Sequence, residues 1–323
     1  MSSMRFVQRH IMSPGSFQGS DSQLTTTAET PFMQECIDYL EGLVKRQGPL
    51  PHEYDQLNLC MQTIMESVRG GAFSREQLAE FWDQAGLAFT PETMQGFVTR
   101  KPHGYAGDFE IIDRIYTHYT SSLLPHWDHF FHAQAAPKAV CNRKAFLLGL
   151  LEDFLSAGGG YILNVASGPA RDVLEFFQLH PEAAVHFDCV ELDPRAIAFA
   201  SQLNSAFLER INFHHVNAFF FKTDQRYNLV WSAGLFDYLS DKHFKKLLVR
   251  LFKLVASGGE LVVGNFCISN SSRDYMEFGE WVLQHRSAST LLQLAMEAGM
   301  LEQDIRVESE PEGINLFLRV VKQ

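Results

Sequence analysis

From residue 160 onward the chain alternates between two hydrophobic periods, and this constrains its fold more than any other feature. Short apolar runs, YILNVA (161–166), VHFDCVEL (185–192), INFHHVNAF (211–219), YNLVWSA (227–233) and ELVVGNF (260–266), are separated by helix-length segments or by turns. Strand-length runs joined by helix-length crossovers make βαβ units, and these build a mostly parallel, doubly wound α/β sheet. The last two runs break the pattern. DIRVESE (304–310) and INLFLRVVK (314–322) have only Pro311, Glu312 and Gly313 between them. Strands joined so closely pair antiparallel. The expected sheet has seven strands, five parallel and a terminal antiparallel hairpin.

Before residue 160 no run alternates as a strand does. PFMQECIDYLEGLVKRQ (31–47) places apolar residues at 33, 36, 37, 40, 43 and 44, a helical period. Further helices are expected near 51–69, from Ser74 as N-cap, at 108–119 and at 137–156. Residues 1–30 are rich in Ser, Thr and Gln and read as a flexible tail. The expected organisation is a tail (1–30), an all-helical cap or substrate domain (31–136) and a sheet domain (137–323). A length of 323 residues suits two domains, and 27 phenylalanines imply an aromatic-rich core or pocket.

Net charge is −11 and no basic stripe is present, which argues against a nucleic-acid partner. No run approaches the ~20 apolar residues of a membrane span. Arg5 and Arg9 precede no apolar stretch of signal-peptide type. Five scattered cysteines without a C-x-x-C pair suggest a reducing, cytoplasmic setting, with the protein a monomer or homodimer. His126, His129 and His132, beside Asp128, drift around a helix and converge poorly on a metal, so none is expected. His214 and His215 point to opposite faces of a strand.

The chemistry is expected at the carboxyl ends of the strands. The first run stops at a small-residue turn, Ala166-Ser167-Gly168-Pro169-Ala170, before helical periodicity resumes. This is neither G-x-G-x-x-G nor a P-loop, yet Gly168 lets a ligand approach the backbone. Glu191 ends the second run about two dozen residues later, where a carboxylate can accept both hydroxyls of a ribose. Asp193-Pro194 supplies an N-cap and a first-turn proline. Asn217 ends the third run, within reach of an adenine amino group. The fourth run ends at Ser232-Ala233-Gly234, followed by Phe236, Asp237 and Tyr238. After the fifth, Asn265, Arg273, Tyr275, Trp281, His285 and Arg286 crowd one stretch that reads as a substrate wall. Either arginine could hold a carboxylate by a bidentate pair.

NVASGPARD, VELDP, VNAF and YNLVWSAGLFDYL resemble, in order and spacing, the motifs of class I S-adenosylmethionine (SAM) dependent methyltransferases over 160–323. The family loop often reads acidic-x-G-x-G-x-G. This chain has Asn164, Ala166, Gly168 and Ala170 there, and Asn217 in place of the usual Asp. The resemblance implies a Rossmann-like class I methyltransferase sheet. It implies SAM as cofactor, held by Asn164, Ala166, Ser167, Gly168, Glu191, Leu192, Asn217, Ala218, Ser232, Ala233 and Gly234.

RKPHGYAGDFEIIDRIY (100–116) stands apart in the helical half. Asp108 is a good N-cap, and His103, Gly104, Tyr105 and Gly107 before it read as a lid or binding loop. This stretch and NFCISNSSRDYMEFGEWVLQHR (265–286) resemble the extracellular-factor 3-hydroxypalmitic acid methyl ester biosynthesis proteins, over roughly 100–323. That resemblance implies a helical cap over the sheet and a small-molecule methyl acceptor, with an acyl carboxylate as one choice. Tyr105 and Asp108 are then expected to reach the cofactor. Tyr105, His103, Asp237 and Arg273 are expected to be catalytic, and Phe236, Tyr238, Asn265, Arg273, Tyr275, Trp281 and Arg286 to bind substrate. A carboxylate acceptor needs no base; a hydroxyl or amine needs one of His103, Asp108, Asp237 or His285. Two alternatives stand beside this: an O- or N-methyltransferase of natural-product assembly, and a non-catalytic SAM-binding regulator.

Overall fold

The structure, a computed structural model, describes residues 31–85, 90–156 and 158–323; the expected tail at 1–30 lies outside them. The helical half comprises α1 (Pro31–Lys45), α2 (Tyr54–Arg69), α3 (Arg75–Ala85), α4 (Met94–Arg100), α5 (Phe109–Tyr116), α6 (Pro125–Ala133) and α7 (Ala135–Ser156). Local chemistry sets their starts. Ser74 Oγ accepts from the Gln77 amide (3.1 Å) while Gln77 Oε1 accepts from the Ser74 amide (2.8 Å), a reciprocal cap on α3. Asp108 accepts from the Glu110 and Ile111 amides at the start of α5. Pro125 opens α6. Asp128 accepts from the amides of Met94 and Ser121, so it ties the start of α4 to the loop before α6.

The sheet half runs β1 (Gly160–Val165), α8 (Arg171–Leu179), β2 (Val185–Glu191), α9 (Pro194–Leu203), β3 (Ile211–His215), β4 (Tyr227–Ser232), α10 (Asp241–Phe252), β5 (Val255–Phe266), α11 (Arg273–Phe278), α12 (Ala288–Glu297), β6 (Ile305–Ser309) and β7 (Asn315–Val321). The strand order is β3-β2-β1-β4-β5-β7-β6. β1 to β5 pair in parallel, and β7 lies antiparallel between β5 and β6, as expected. The order reverses between β1 and β4, the switch point where such sheets open a crevice at their carboxyl ends. β5 begins at Val255, five residues before the apolar run that announced it.

Alternation divides the strands between two cores. Ile162, Leu229, Trp231 and Phe317 face α7 and α8, whereas Leu163, Val165, Val230 and Val263 face α10 and α12. The helical half is closed by residues from beyond β5. Phe266, Tyr275, Met276, Phe278 and Trp281 share its core with Leu57, Met61, Phe97 and Trp127. The expected boundary after residue 136 falls inside α7. Ala136, Ala139 and Val140 lie in the cap core, while Leu147 and Leu151 lie in the sheet core. Farther along α7 the Phe146 ring stacks on Phe317 at 3.9 Å. No helix among the described residues is long and apolar enough to cross a membrane.

Candidate active site

The loop after β1 turns on three left-handed residues, Ala166 (φ +54°), Gly168 (φ +54°) and Ala170 (φ +47°). A Cβ at Gly168 would meet nothing within 4 Å, so the lip of the loop is open. The Glu191 carboxylate closes the loop from the end of β2. Its Oε2 accepts from the Gly168 amide (3.0 Å), and its Oε1 accepts from Leu192 (2.7 Å) and Asp193 (3.0 Å). Burial raises its pKa against the pull of these three amides. One side chain thus gathers the β1 and β2 loops at the switch point. Asp193 caps α9 through the Arg195 amide (2.9 Å). The Asn217 side chain accepts from the Phe219 amide through Oδ1 in a turn after β3.

The cap loop 101–108 covers this edge. Tyr105 donates its hydroxyl to Asp193 Oδ2 (3.1 Å), and Arg195 donates to the His103 carbonyl (2.8 Å). Burial foremost, then Asp193 and Glu191, raise the Tyr105 pKa, so the phenol stays a neutral donor. On the β4 side the Tyr238 hydroxyl donates to the Ala106 carbonyl (3.1 Å) and accepts from Trp281 Nε1 (2.8 Å). Gly107 has φ +68°, and a Cβ there would overlap the Tyr238 hydroxyl and lie 2.9 Å from the Trp281 ring. A glycine is required at this seat both for its conformation and for its size.

Asp237 is buried behind Tyr238, with Oδ1 accepting from the Phe266 amide (2.6 Å). Burial lifts its pKa to about 7, against that amide, Arg143 and Arg286. Beside it the Arg143 guanidinium lies against Gly234, where a Cβ would stand 2.8 Å from Nη1.

Several expected site residues are elsewhere. Phe236 is fully buried and packs edge-on to Phe244 at 4.8 Å, so it belongs to the core. Arg286 is buried with its donors consumed: Nη1 donates to the Phe236 carbonyl and Asn265 Oδ1, Nη2 to the Leu239 carbonyl and Asp241, and Nε to Asp241. Asn265 completes that strut by donating to the Phe266 and Gln284 carbonyls. Neither can also grip a substrate. Arg273 is exposed and paired one turn along α11 with Glu277. The Tyr275 ring is buried against Phe130 and Phe131 in the cap core. The Ser232 hydroxyl donates to the Val165 carbonyl. His103 contributes its carbonyl to the edge, while its ring meets Glu110 and packs on Phe109. His285 faces Asn270, and burial lowers its pKa.

The structure brings together Gly168, Glu191, Asp193, Tyr105, Gly107, Tyr238 and Trp281 along one edge, with Asp237, Gly234 and Arg143 at its β4 end. Sequence reasoning passed over Arg143. The signal was there, because position 143 falls in the apolar stripe 136, 140, 143, 147, 151 of α7, where a charge is out of place.

The seven-stranded sheet with its antiparallel last hairpin, under a helical cap, is a class I methyltransferase fold. Residues 162–259 match the family described as methyltransferase domain. The chain is similar to a solved structure from Bordetella parapertussis, a possible exported protein, at 16% identity. That match covers 93% of this chain and 99% of the other with a TM-score of 0.59. It is also similar to the apo form of the S-adenosylmethionine-dependent methyltransferase SibL, at 14% identity, covering 93% of this chain and 99% of that one, TM-score 0.50. At such identities the likeness establishes the fold, cap included. No curated protein matches the sequence.

Proposed function

We propose that the protein is a SAM-dependent methyltransferase acting on a small-molecule acceptor enclosed under the helical cap. The observation that carries this reading is the meeting of the Glu191 carboxylate with the Gly168 amide at the switch point of this sheet. An acid at that place can trade backbone amides for ribose hydroxyls. Asn164 Nδ2, Ser167 Oγ and Trp231 Nε1 near the carboxyl ends of β1 and β4, and Arg143 Nε on α7, are buried without a partner among the described residues. Buried donors are rarely left unpaired without cause, and these fit a polar ligand along the β1 and β4 edges. In this reading Ala166 to Gly168 and Asn164 hold one end of SAM, Glu191 the ribose, and Leu192, Asn217 and Ala218 flank the adenine.

When bound, SAM supplies an electrophilic methyl group on a sulfonium. The chain's own contribution is alignment and the exclusion of water. The loop carrying Tyr105 and Gly107 seats on Asp193, Tyr238 and Trp281, which shuts the cleft against solvent and against a polymer. Asp237, with its pKa near 7, is the best-placed proton acceptor for a hydroxyl or amine once the Phe266 amide releases it. A fatty-acid carboxylate gripped by Arg273 or Arg286 finds no support in their geometry. Five free cysteines are in keeping with a cytoplasmic setting.

Calorimetric titration of SAM and S-adenosylhomocysteine into wild type and Glu191→Ala tests the reading. Binding that weakens tenfold or more in the variant, about 1.4 kcal/mol, is expected. A wild-type protein that binds neither compound overturns it.

A further inference from the structure

Two hollows in the helical half meet at one side chain. Inside the cap a cavity of about 20 Å³, room for little more than one water, is lined by Val98, Val140, Phe266 and Trp281 among others. Its wall holds the amide of Gln95 and the phenol of Tyr275, but no charged side chain among the described residues. Outside, between α2 and the start of α11, a groove of about 290 Å³ is lined by Asp55, Asn58, Gln62, Ser271 and Asp274, and again by Tyr275. Tyr275 therefore partitions the closed cavity from the open groove.

The Tyr275 side chain is held by packing alone. Its ring meets Phe130 and Phe131 edge-on, at 5.2 and 6.1 Å between centroids. Its hydroxyl is buried and has no hydrogen-bond partner among the described residues. A hydroxyl in that state carries its desolvation cost with no bond to offset it. Turned into the polar groove it regains hydrogen bonds from water, so the swing gives up ring packing only. The swing also adds the volume of a ring to the cavity. At its inner end the cavity is closed by Phe266, whose amide donates to Asp237, and by Trp281, whose Nε1 donates to the Tyr238 hydroxyl. It thus backs onto the β4 end of the crevice.

We propose that Tyr275 gates a channel through the cap, from the groove between α2 and α11 to the β4 end of the crevice, and that this channel takes a methyl acceptor with a neutral, apolar body. The proposal rests on the methyltransferase reading. A charged body among these side chains would lose its water and gain no partner. The full-length wild type, Y275A, S271W and V98F, each loaded with S-adenosylhomocysteine, are mixed with 4-ethylphenol and with its charged counterpart 4-ethylbenzoate. Calorimetry reads affinity and stopped flow reads association. S271W narrows the mouth of the groove, and V98F fills the cavity. Thermal unfolding checks that each variant is folded, and Y275L and V98M carry the comparison where Y275A or V98F is not.

Wild type is expected to bind 4-ethylphenol roughly tenfold or more tightly than 4-ethylbenzoate, and V98F to weaken 4-ethylphenol by a similar factor. Y275A should speed its association roughly fivefold or more, and S271W should slow it. Equal affinity for the two probes, no binding of 4-ethylphenol, or an affinity unmoved by V98F overturns the apolar site. Association rates unmoved by both Y275A and S271W overturn the gate. A wild type that takes up S-adenosylhomocysteine but not 4-ethylphenol refutes this proposal alone. One that does not take up S-adenosylhomocysteine removes the methyltransferase reading, and this proposal with it.

Discussion

Replacing Gly107 by alanine tests how the lid is held. Alanine at φ +68° pays about 1–2 kcal/mol for a left-handed backbone. Its methyl group would overlap the Tyr238 hydroxyl and press on the Trp281 ring, and overpacking of this kind costs about 1–3 kcal/mol. Together the seated loop loses roughly 2–5 kcal/mol. Beside the half-exposed Lys101–Glu280 ion pair, it is held by hydrogen bonds from Tyr105 to Asp193, Arg195 to His103 and Tyr238 to Ala106. At about 0.5–1.5 kcal/mol each, they supply roughly 1.5–4.5 kcal/mol. Because cost and hold are of equal size, the expected result is local release of the loop. Hydrogen exchange in a peptide spanning 101–108 should quicken and S-adenosylhomocysteine affinity should fall, while the helices and sheet keep their protection. Gly104→Ala is the internal control. Gly104 also has positive φ (+86°), but a Cβ there meets nothing within 4 Å, so it pays the backbone term alone. Equal exchange in the two variants, or unchanged exchange in Gly107→Ala, would refute the argument that the loop is clamped by Tyr238 and Trp281.

Other substitutions separate struts from site residues. R286M orphans Asn265 and the Phe236 and Leu239 carbonyls, and should lower the urea-derived stability by about 3–5 kcal/mol, an effect that an exposed substrate anchor would not have. R273A removes one exposed pair and should change stability by less than about 1 kcal/mol and leave methyl transfer intact; a large loss of turnover would restore Arg273 to the site. Burial raises the Asp237 pKa from 3.8 to about 7, so the folded state favours the protonated acid. Its contribution to stability is full below the unfolded-state pKa and is lost as pH rises across that window, by about 4 kcal/mol in all. Denaturation of wild type and D237N from pH 4 to pH 8 should therefore show the variant gaining on wild type as pH rises; parallel curves would contradict the shift.

The strand runs, the hairpin at Pro311–Gly313 and the acid at Glu191 were legible in the sequence because their causes are local. A strand announces itself by its run length, a hairpin by its short connection and a cap by its residue type, as at Ser74, Asp108 and Asp193. The seating of the Tyr105 loop was legible only as a loosened segment before a helix. Which arginine matters was not legible at all. Arg273, Arg286 and Arg143 carry the same guanidinium, and only packing turns the first to solvent, surrounds the second with acceptors and buries the third beside Asp172 and Asp237 with its Nε unpaired. The same holds for Phe236 and Tyr238, two residues apart, one in the core and the other holding the lid. The sequence by itself determined the sheet and its crevice, since hydrophobic period and turn chemistry act between near neighbours. The tertiary structure decided which side chains face the crevice, because burial and pairing depend on residues more than a hundred positions apart, such as Tyr238 and Ala106.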